Sequence, residues 1–277
     1  MLARTSRHRQ DRQRESLAAL LVALATAQPG IAVADPVDNI RHILADPQSS
    51  PLPLGWLVGG MGYTGDSTFA ARPRTSLAIP GAVFIGRDFV YLGDRGFYTL
   101  GAAGPLSMFA RARVRLGSLD PKDSPAFAGM ARRKAQVEAG LGVSAVTGVG
   151  LWSARFSSDV SGRSHGHEVL LSWTAPLVHE RWILAPGVGA LWRSSRLADY
   201  YYGGVAASEA APGRPAYAVG SSWSINPSLS ATYRASPQWL VAGVIGYEAF
   251  GPEIRNSPLV QKRGTTGVLV AVGYLWR

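Results

Sequence analysis

Three arginines alternate with apolar residues along one short segment of the chain. Arg111, Arg113 and Arg115 share one face of an extended segment, because neighbouring side chains of a β-strand point to opposite sides. The other face of residues 106–116 is apolar. Such guanidinium groups could line a passage for anions, or they could pair with carboxylates in a closed lumen. We favour the closed lumen, because charges of both signs occupy the expected lumen positions: Arg155, Arg181 and Arg193 beside Glu138, Asp159, Glu168 and Glu248, with the polar Gln136 among them.

A histidine pair is the second group of residues with chemical potential. His165 and His167 alternate in sequence and precede Glu168, so both imidazoles could bind a metal if a third ligand came from elsewhere. The sequence indicates no such ligand, and the glycine-rich surroundings favour solvated histidines at a hairpin tip. Ser164, His165 and Asp159 could supply the groups of a hydrolase, but no motif marks a nucleophile. We therefore predict no enzymatic activity, no metal and no cofactor.

The elements that position these side chains are alternating segments of about ten residues, the length that a tilted strand needs to cross a bilayer. In residues 267–276, valines and aromatic residues occupy one face and mostly small residues the other. Residues 182–192 show the same pattern, and tryptophans recur at the segment ends, as in the aromatic girdles of membrane barrels. The pattern predicts an all-β fold, a transmembrane antiparallel up-and-down β-barrel of the outer-membrane type.

The connections between these segments alternate in length. Residues 117–133, 194–215 and 251–264 form long links, whereas 147–148, 177–180 and 235–238 form short ones. Long loops at one end and tight turns at the other are typical of outer-membrane barrels, whose termini lie on the periplasmic side. The alternation predicts about twelve strands. Ten strands would result if residues 89–101 formed fewer strands than the pattern indicates.

The N-terminal region resembles an export signal. A block of arginines precedes the apolar stretch Leu17–Ala27, which is too short to span a bilayer, and A-x-A sites end at Ala27 and Ala34. We predict a signal peptide over residues 1–34, cleaved at one of these two sites, and a periplasmic leader over 35–53. The barrel is predicted over 54–277.

Composition narrows the classes of function. The absence of cysteine excludes disulfides and thiolate catalysis, and a charged fraction of 17% is low for a soluble protein. The formal net charge is +10, but the basic residues form no cluster interleaved with aromatic residues on a helix. We therefore expect outer-membrane lipid and lipopolysaccharide as partners, and no nucleic acid.

Four short strings, in order along the chain, resemble segments of the MipA/OmpV family of outer-membrane proteins. They are GGMGY at Gly59–Tyr63, DVSG at Asp159–Gly162 with His165-Gly166 after it, DYYYGGV at Asp199–Val205, and NSPLV at Asn256–Val260. The resemblance covers the chain from about residue 54 to its end. It implies a barrel in the outer membrane and a scaffold that links a murein lytic transglycosylase to a murein synthase. The loop residues that carry it are Asp159, Gly162, His165, Asp199, Tyr200, Tyr201, Tyr202, Asn256, Ser257 and Pro258.

The residues and the resemblance together predict a non-enzymatic barrel in the outer membrane of a Gram-negative bacterium, with a structural or scaffolding role in the cell envelope. Two alternatives remain. The first is a small anion-preferring pore or uptake channel, and the second is a barrel enzyme that modifies lipid or lipopolysaccharide.

Overall fold

The computed structural model describes residues 54–276. The predicted signal peptide (1–34) and leader (35–53) lie outside these residues, as does Arg277. Within them the chain forms thirteen β-strands. Their bounds are β1 (Gly55–Gly65), β2 (Thr75–Ile85), β3 (Phe89–Tyr91), β4 (Arg95–Ala103), β5 (Leu106–Arg115), β6 (Gln136–Thr147), β7 (Gly150–Asp159), β8 (His167–Thr174), β9 (Leu177–His179), β10 (Trp182–Arg193), β11 (Ser222–Arg234), β12 (Trp239–Phe250) and β13 (Gly264–Trp276).

The helical elements are short and lie in the loops. They are α1 (Ser195–Tyr201), α2 (Pro252–Arg255) and two turns of 3₁₀-helix at Pro125–Phe127 and Ala207–Glu209. None of the helices in the described part of the chain is long and apolar enough to cross a membrane.

The strands form one closed antiparallel sheet. Each strand pairs with the next strand in sequence, except that β8 pairs with β10, and β13 pairs with β1 to close the barrel, with Trp56 opposite Trp276. β8 and β9 lie end to end along β10, where β9 pairs with Trp182–Leu184 and β8 with Gly187–Arg193. The described residues therefore make a twelve-stranded barrel, which confirms the predicted fold class and the higher of the two strand numbers.

The two ends of the barrel differ. Loops of residues 66–74, 116–135, 160–166, 194–221 and 251–263 lie at one end, which we call the loop end. Short turns at 86–88, 104–105, 148–149, 180–181 and 235–238 lie at the other, the turn end. One expected turn is wrong: residues 177–179 form β9, and the chain reverses at Glu180, whose φ is +49°.

The outer face of the barrel is apolar, as a bilayer requires. On β5 the outward side chains include the exposed Leu106 and Met108, while the inward Arg111 and Arg113 are buried. Aromatic side chains cluster where strands end at the turn end, and two such pairs are Trp182–Tyr233 and Trp239–Tyr274, whose ring centroids lie 4.6 and 5.2 Å apart. These rings form the girdle that the sequence predicted.

Three prolines mark interruptions in the strand pairing. Pro186 lies between the stretches of β10 that pair with β9 and β8, and Pro227 lies where pairing between β11 and β12 breaks. Pro80 lies in the part of β2 that pairs with β1 alone. Each proline therefore has a paired strand on one side only, because a residue without an N–H group cannot donate to a ladder on both sides.

Candidate functional site: the ion-paired lumen and its loop plug

Seven charged side chains from six strands meet inside the barrel. Strand alternation turns them inward, and we call the group the ion-pair network. Its members are Arg113, Arg115, Arg155, Arg193, Glu138, Glu168 and Glu248. All seven side chains are less than one-tenth exposed.

Glu168 lies at the centre of the ion-pair network. Its carboxylate oxygens lie 2.6 Å from Arg115 Nη2, 3.3 Å from Arg155 Nη2, 3.5 Å from Arg113 Nη2 and 3.7 Å from Arg193 Nε. Desolvated arginines so close together would repel one another, and the carboxylate between them offsets that repulsion.

The other two carboxylates extend the network to both sides. Arg113 Nη2 donates to Glu138 Oε2 at 2.7 Å, and Gln136 Nε2 donates to Glu138 Oε1 at the same distance. On the far side Arg193 Nη2 lies 2.5 Å from Glu248 Oε1. The network therefore extends across the lumen from β5 and β6 to β12.

The predicted arginine stripe lies on the lumen side of β5. Arg111 is 3% exposed, and its guanidinium carbon lies 5.7 Å from the centre of the Phe97 ring. Two other side chains that the sequence predicted to face the lumen, Arg181 and Asp159, do not join the ion-pair network. Arg181 is exposed in the turn at 180–181, and its Nη1 donates to Ala235 O at 3.4 Å. Asp159 accepts from loop N–H groups instead of from an arginine.

Four loops cover the loop end of the barrel, and we call them the loop plug: residues 66–74, 116–135, 194–221 and 251–263. They enclose an apolar cluster to which each loop contributes. Among its members Phe69, Phe127, Leu197 and Ile254 are each at most 1% exposed. Burial of this many apolar side chains stabilises one arrangement of the loops.

Two of three consecutive tyrosines, Tyr201 and Tyr202, join the loop plug to the ion-pair network. Arg193 Cζ lies 4.0 Å from the centre of the Tyr202 ring, and the Tyr202 hydroxyl accepts from Arg115 Nη1 at 3.0 Å. The Tyr201 hydroxyl donates to Lys134 O at 2.7 Å. Burial raises the pKa of this hydroxyl well above its usual value, so it remains a donor. The tyrosines thus close the mouth from the lumen side.

The loop segments 199–205 and 256–260 contact each other. Ser257 Oγ donates to Gly203 O at 2.6 Å, and Asp199 Oδ1 accepts from Val219 N at 2.6 Å. Gly203 has a φ of +113°, and a Cβ there would collide with the Ser257 side chain. Two strings that are far apart in sequence therefore form one interlocked unit within the plug.

The remaining residues of these two segments make fewer contacts. The Tyr200 hydroxyl accepts from Lys134 N at 2.9 Å, which holds the segment against the neighbouring loop. The backbone N–H of Asn256 donates to Pro252 O at the end of α2, and the Asn256 side chain is exposed. Pro258 is half-buried within the plug.

The string around Asp159 builds a tight turn. The Asp159 carboxylate accepts from the N–H groups of Ser161, Ser164 and His165 at 2.7–2.9 Å, and Gly162 has a φ of +68°. Because the backbone of His165 binds the carboxylate, and not its imidazole, these residues do not form the arrangement of a hydrolase.

The two histidines of this segment do not share a ligand. His167 Nδ1 lies 3.0 Å from Ser158 Oγ, and His165 is exposed with a φ of +52°. Across residues 54–276 no group of three His, Cys, Asp or Glu side chains is placed to hold a metal ion.

Sequence reasoning missed a second polar cluster, which fastens the plug. The Glu209 carboxylate accepts hydrogen bonds from Arg133 Nη2 at 2.7 Å, Ala131 N at 2.8 Å and Ala206 N at 3.2 Å. Burial favours a raised pKa for Glu209, but these hydrogen bonds outweigh it and hold the pKa below the usual value. No alternation identifies such residues, because they lie in loops.

Residues 57–276 match the model of the family described as MltA-interacting protein MipA. The chain belongs to the MipA family. The predicted resemblance is thereby confirmed, and the protein is an outer-membrane protein.

Named relatives agree with this assignment. The chain is 29% identical over 142 residues to the MltA-interacting protein of Escherichia coli K12, covering 51% of this chain and 57% of that protein. It is 27% identical over 155 residues to the outer membrane protein Omp26La of Vibrio anguillarum, covering 56% and 60%. The matched part thus spans less than two-thirds of each relative.

Solved structures with a similar outline are also outer-membrane barrels. The COG4313 outer membrane channel of Pseudomonas putida F1 matches 81% of this MipA family chain and 97% of its own, at 12% identity and a TM-score of 0.39. A loop-deletion mutant of OmpT of Vibrio cholerae matches 80% and 100%, at 10% identity and a TM-score of 0.34. The relatives are named as interacting or outer-membrane proteins and not as enzymes.

Proposed function

We propose that the protein is a non-enzymatic scaffold of the outer membrane, which holds a murein lytic transglycosylase, and through it a murein synthase, at the periplasmic face. The observation that carries this proposal is the closed lumen. The arginines and glutamates of the ion-pair network form ion pairs with one another, and the tyrosines join the network to the packed loop plug. A barrel closed in this way acts through its surfaces and not through a passage.

The turn end supplies the surface for such a partner. In outer-membrane barrels short turns face the periplasm, where murein lies. The exposed residues there include Arg87 and Asp88 in one turn and Glu180 and Arg181 in another. The chain enters β1 at the same end. The relative named MltA-interacting protein supports the class of partner.

Binding of a purified lytic transglycosylase to the mature protein in lipid nanodiscs tests the proposal. We expect saturable binding, and we expect the double variant Arg87→Glu, Arg181→Glu to weaken it, because two exposed charges of the turn end are reversed. Arg132→Glu is the matched control, since Arg132 is 65% exposed in a loop at the opposite end. Absence of binding, together with absence of the enzyme in pull-downs from envelope extracts, would refute the scaffold.

Conductance measurements distinguish the scaffold from the anion-preferring pore. In planar bilayers we expect no steady conductance from the intact protein, because the ion-pair network extends across the lumen and the loop plug covers the mouth. A steady anion-selective current that falls on substitution of Arg111 would favour the channel instead. Arg111 is the appropriate probe because it lies in the lumen beside the ion-pair network.

A further inference from the structure

One sector of the lumen wall differs from the rest in being apolar. On β13, β1 and β2 the inward side chains include Leu57, Met61, Ile79, Val83, Leu269 and Ala271. These residues are half-buried although they face inward, whereas the inward arginines and glutamates of the ion-pair network are buried. Space therefore remains open beside this sector, which we call the apolar groove.

The shape of the groove follows from three glycines and a small apolar cluster. Gly59 pairs with Gly81 on one side and with Gly273 on the other, so one level of the inner wall carries no side chains. Towards the turn end, Ile85 and Val90 pack with Leu57, Val83 and Leu92. Towards the loop end, Tyr63 is buried. The groove therefore lies between this small apolar cluster and Tyr63.

The barrel wall is interrupted beside the groove. Only Phe84 and Ile85 of β2 pair with β3, which ends at Tyr91 and turns back into β4. In the described part of the chain, residues 75–83 of β2 pair with β1 on one side and with no strand on the other. We call this free edge of β2 the seam. Pro80 lies in the middle of the seam, as expected for a residue that lacks an N–H group.

An unpaired strand edge at membrane depth needs a physical reason. Unpaired backbone groups are costly in hydrocarbon and are tolerated only where the backbone is buried in protein or lines a water-filled cavity. Pro80 lowers the cost at the seam, because it has no N–H group to leave unpaired, and the inner face of the same strand lines the apolar groove. Seam and groove therefore form one feature, whose open side is continuous with the lipid-facing surface of the barrel.

We propose that the apolar groove receives one acyl chain of an outer-membrane lipid, which enters sideways through the seam. The groove wall offers methyl and methylene groups and no charge, and its open side meets the hydrocarbon layer of the bilayer. The ion-pair network lies against β5–β8, β10 and β12, so lipid binding is separate from the contacts that close the lumen.

Photocrosslinking locates the acyl chain directly. The full mature protein is placed in nanodiscs that contain a phospholipid with a diazirine in its acyl chain, irradiated and analysed by peptide mass spectrometry. We expect adducts on the inward residues Met61, Ile79 and Leu269 as well as on the outer face. Ala271→Trp fills the groove and should abolish the inward adducts, while Val270→Trp, on the outer face of the same strand, should leave them. Adducts confined to outward residues of the unaltered protein would overturn the proposal.

A second measurement does not depend on the bulky variant. The chain contains no cysteine, so single cysteines can be labelled with a long-chain alkyl maleimide dissolved in the bilayer. Ile79→Cys, inside the groove, should react, as should Ala78→Cys on the outer face. Ala185→Cys should not, because Ala185 is 3% exposed and lies inward on β10, away from the seam. An unreactive Ile79→Cys beside a reactive Ala78→Cys would show that no path leads from the bilayer into the groove.

Discussion

Removal of the central carboxylate of the ion-pair network should destabilise the barrel by several kcal/mol. Glu168 contacts Arg115, Arg155, Arg113 and Arg193 at 2.6 to 3.7 Å and is 3% exposed. Glu168→Gln keeps the shape of the side chain and removes its charge. Removing one partner of a buried ion pair costs about 3–5 kcal/mol, because the remaining charges stay desolvated.

The structure explains why this substitution is more costly than the loss of one surface pair. The network holds four arginines and three glutamates, so the substitution leaves four positive charges facing two negative ones. A cost of about 3–5 kcal/mol lowers the folding equilibrium constant by about two to nearly four orders of magnitude.

Reversible unfolding in lipid vesicles, followed by tryptophan fluorescence across a urea titration, measures this cost. Ser172→Ala is the matched control. Ser172 lies on the same face of β8, about 13 Å along the strand from Glu168, and is also buried. A Glu168→Gln barrel within about 1 kcal/mol of the parent would mean that water solvates the arginines, since exposed pairs contribute about that much. The closed lumen would then be refuted.

Three further predictions concern the lipid-facing side of β5 and two residues of the loop plug. Ala112→Arg places a cation on the lipid side of β5 and should cost about 2–4 kcal/mol of barrel stability by the same titration. Gly203→Ala should loosen the plug, because the left-handed φ and the collision with Ser257 both oppose a Cβ, and limited proteolysis should then cleave residues 194–221 faster. The hydrogen bonds of the Glu209 carboxylate stabilise the loop plug fully above pH 4.5, the ordinary pKa of a glutamate. This stabilisation should be lost as pH falls through the lowered pKa of Glu209 in the folded protein. Hydrogen exchange of the loops across this acid range measures the loss.

Each of these has an outcome that contradicts it. If Ala112→Arg leaves the stability of the barrel unchanged, this face of β5 is exposed to water and the assigned register is wrong. Unchanged cleavage of Gly203→Ala would show that the contact with Ser257 does not hold the plug. If acid loosens the loops equally in Glu209→Gln, whose side chain does not titrate, another group is responsible for the pH dependence.

The local pattern of the sequence was sufficient to predict the wall of the barrel. A strand has a period of two, so alternation in residues 106–116 already assigns Arg113 to one face and Ala112 to the other. The lengths of the links likewise fixed the strand number near twelve. The exception was residues 177–179, where a three-residue strand was too short to carry a recognisable alternation.

The contacts between distant parts of the chain could not be predicted in the same way. Arg155 and Arg181 both looked like lumen residues, but only the pairing of the strands shows that Arg155 reaches Glu168 and that Arg181 lies in a turn. The loop strings were recognised one by one, and their contact through Gly203 and Ser257 depends on how four loops pack together.

The division of the lumen into a charged and an apolar sector was decided by barrel closure. Each strand by itself shows only which side chains point inward. Closure brings β13 beside β1, which aligns Gly273 with Gly59, and the early end of β3 leaves the edge of β2 unpaired. These features depend on the stagger between strands that are far apart in sequence, and hydrophobic alternation within a strand carries no information about that stagger.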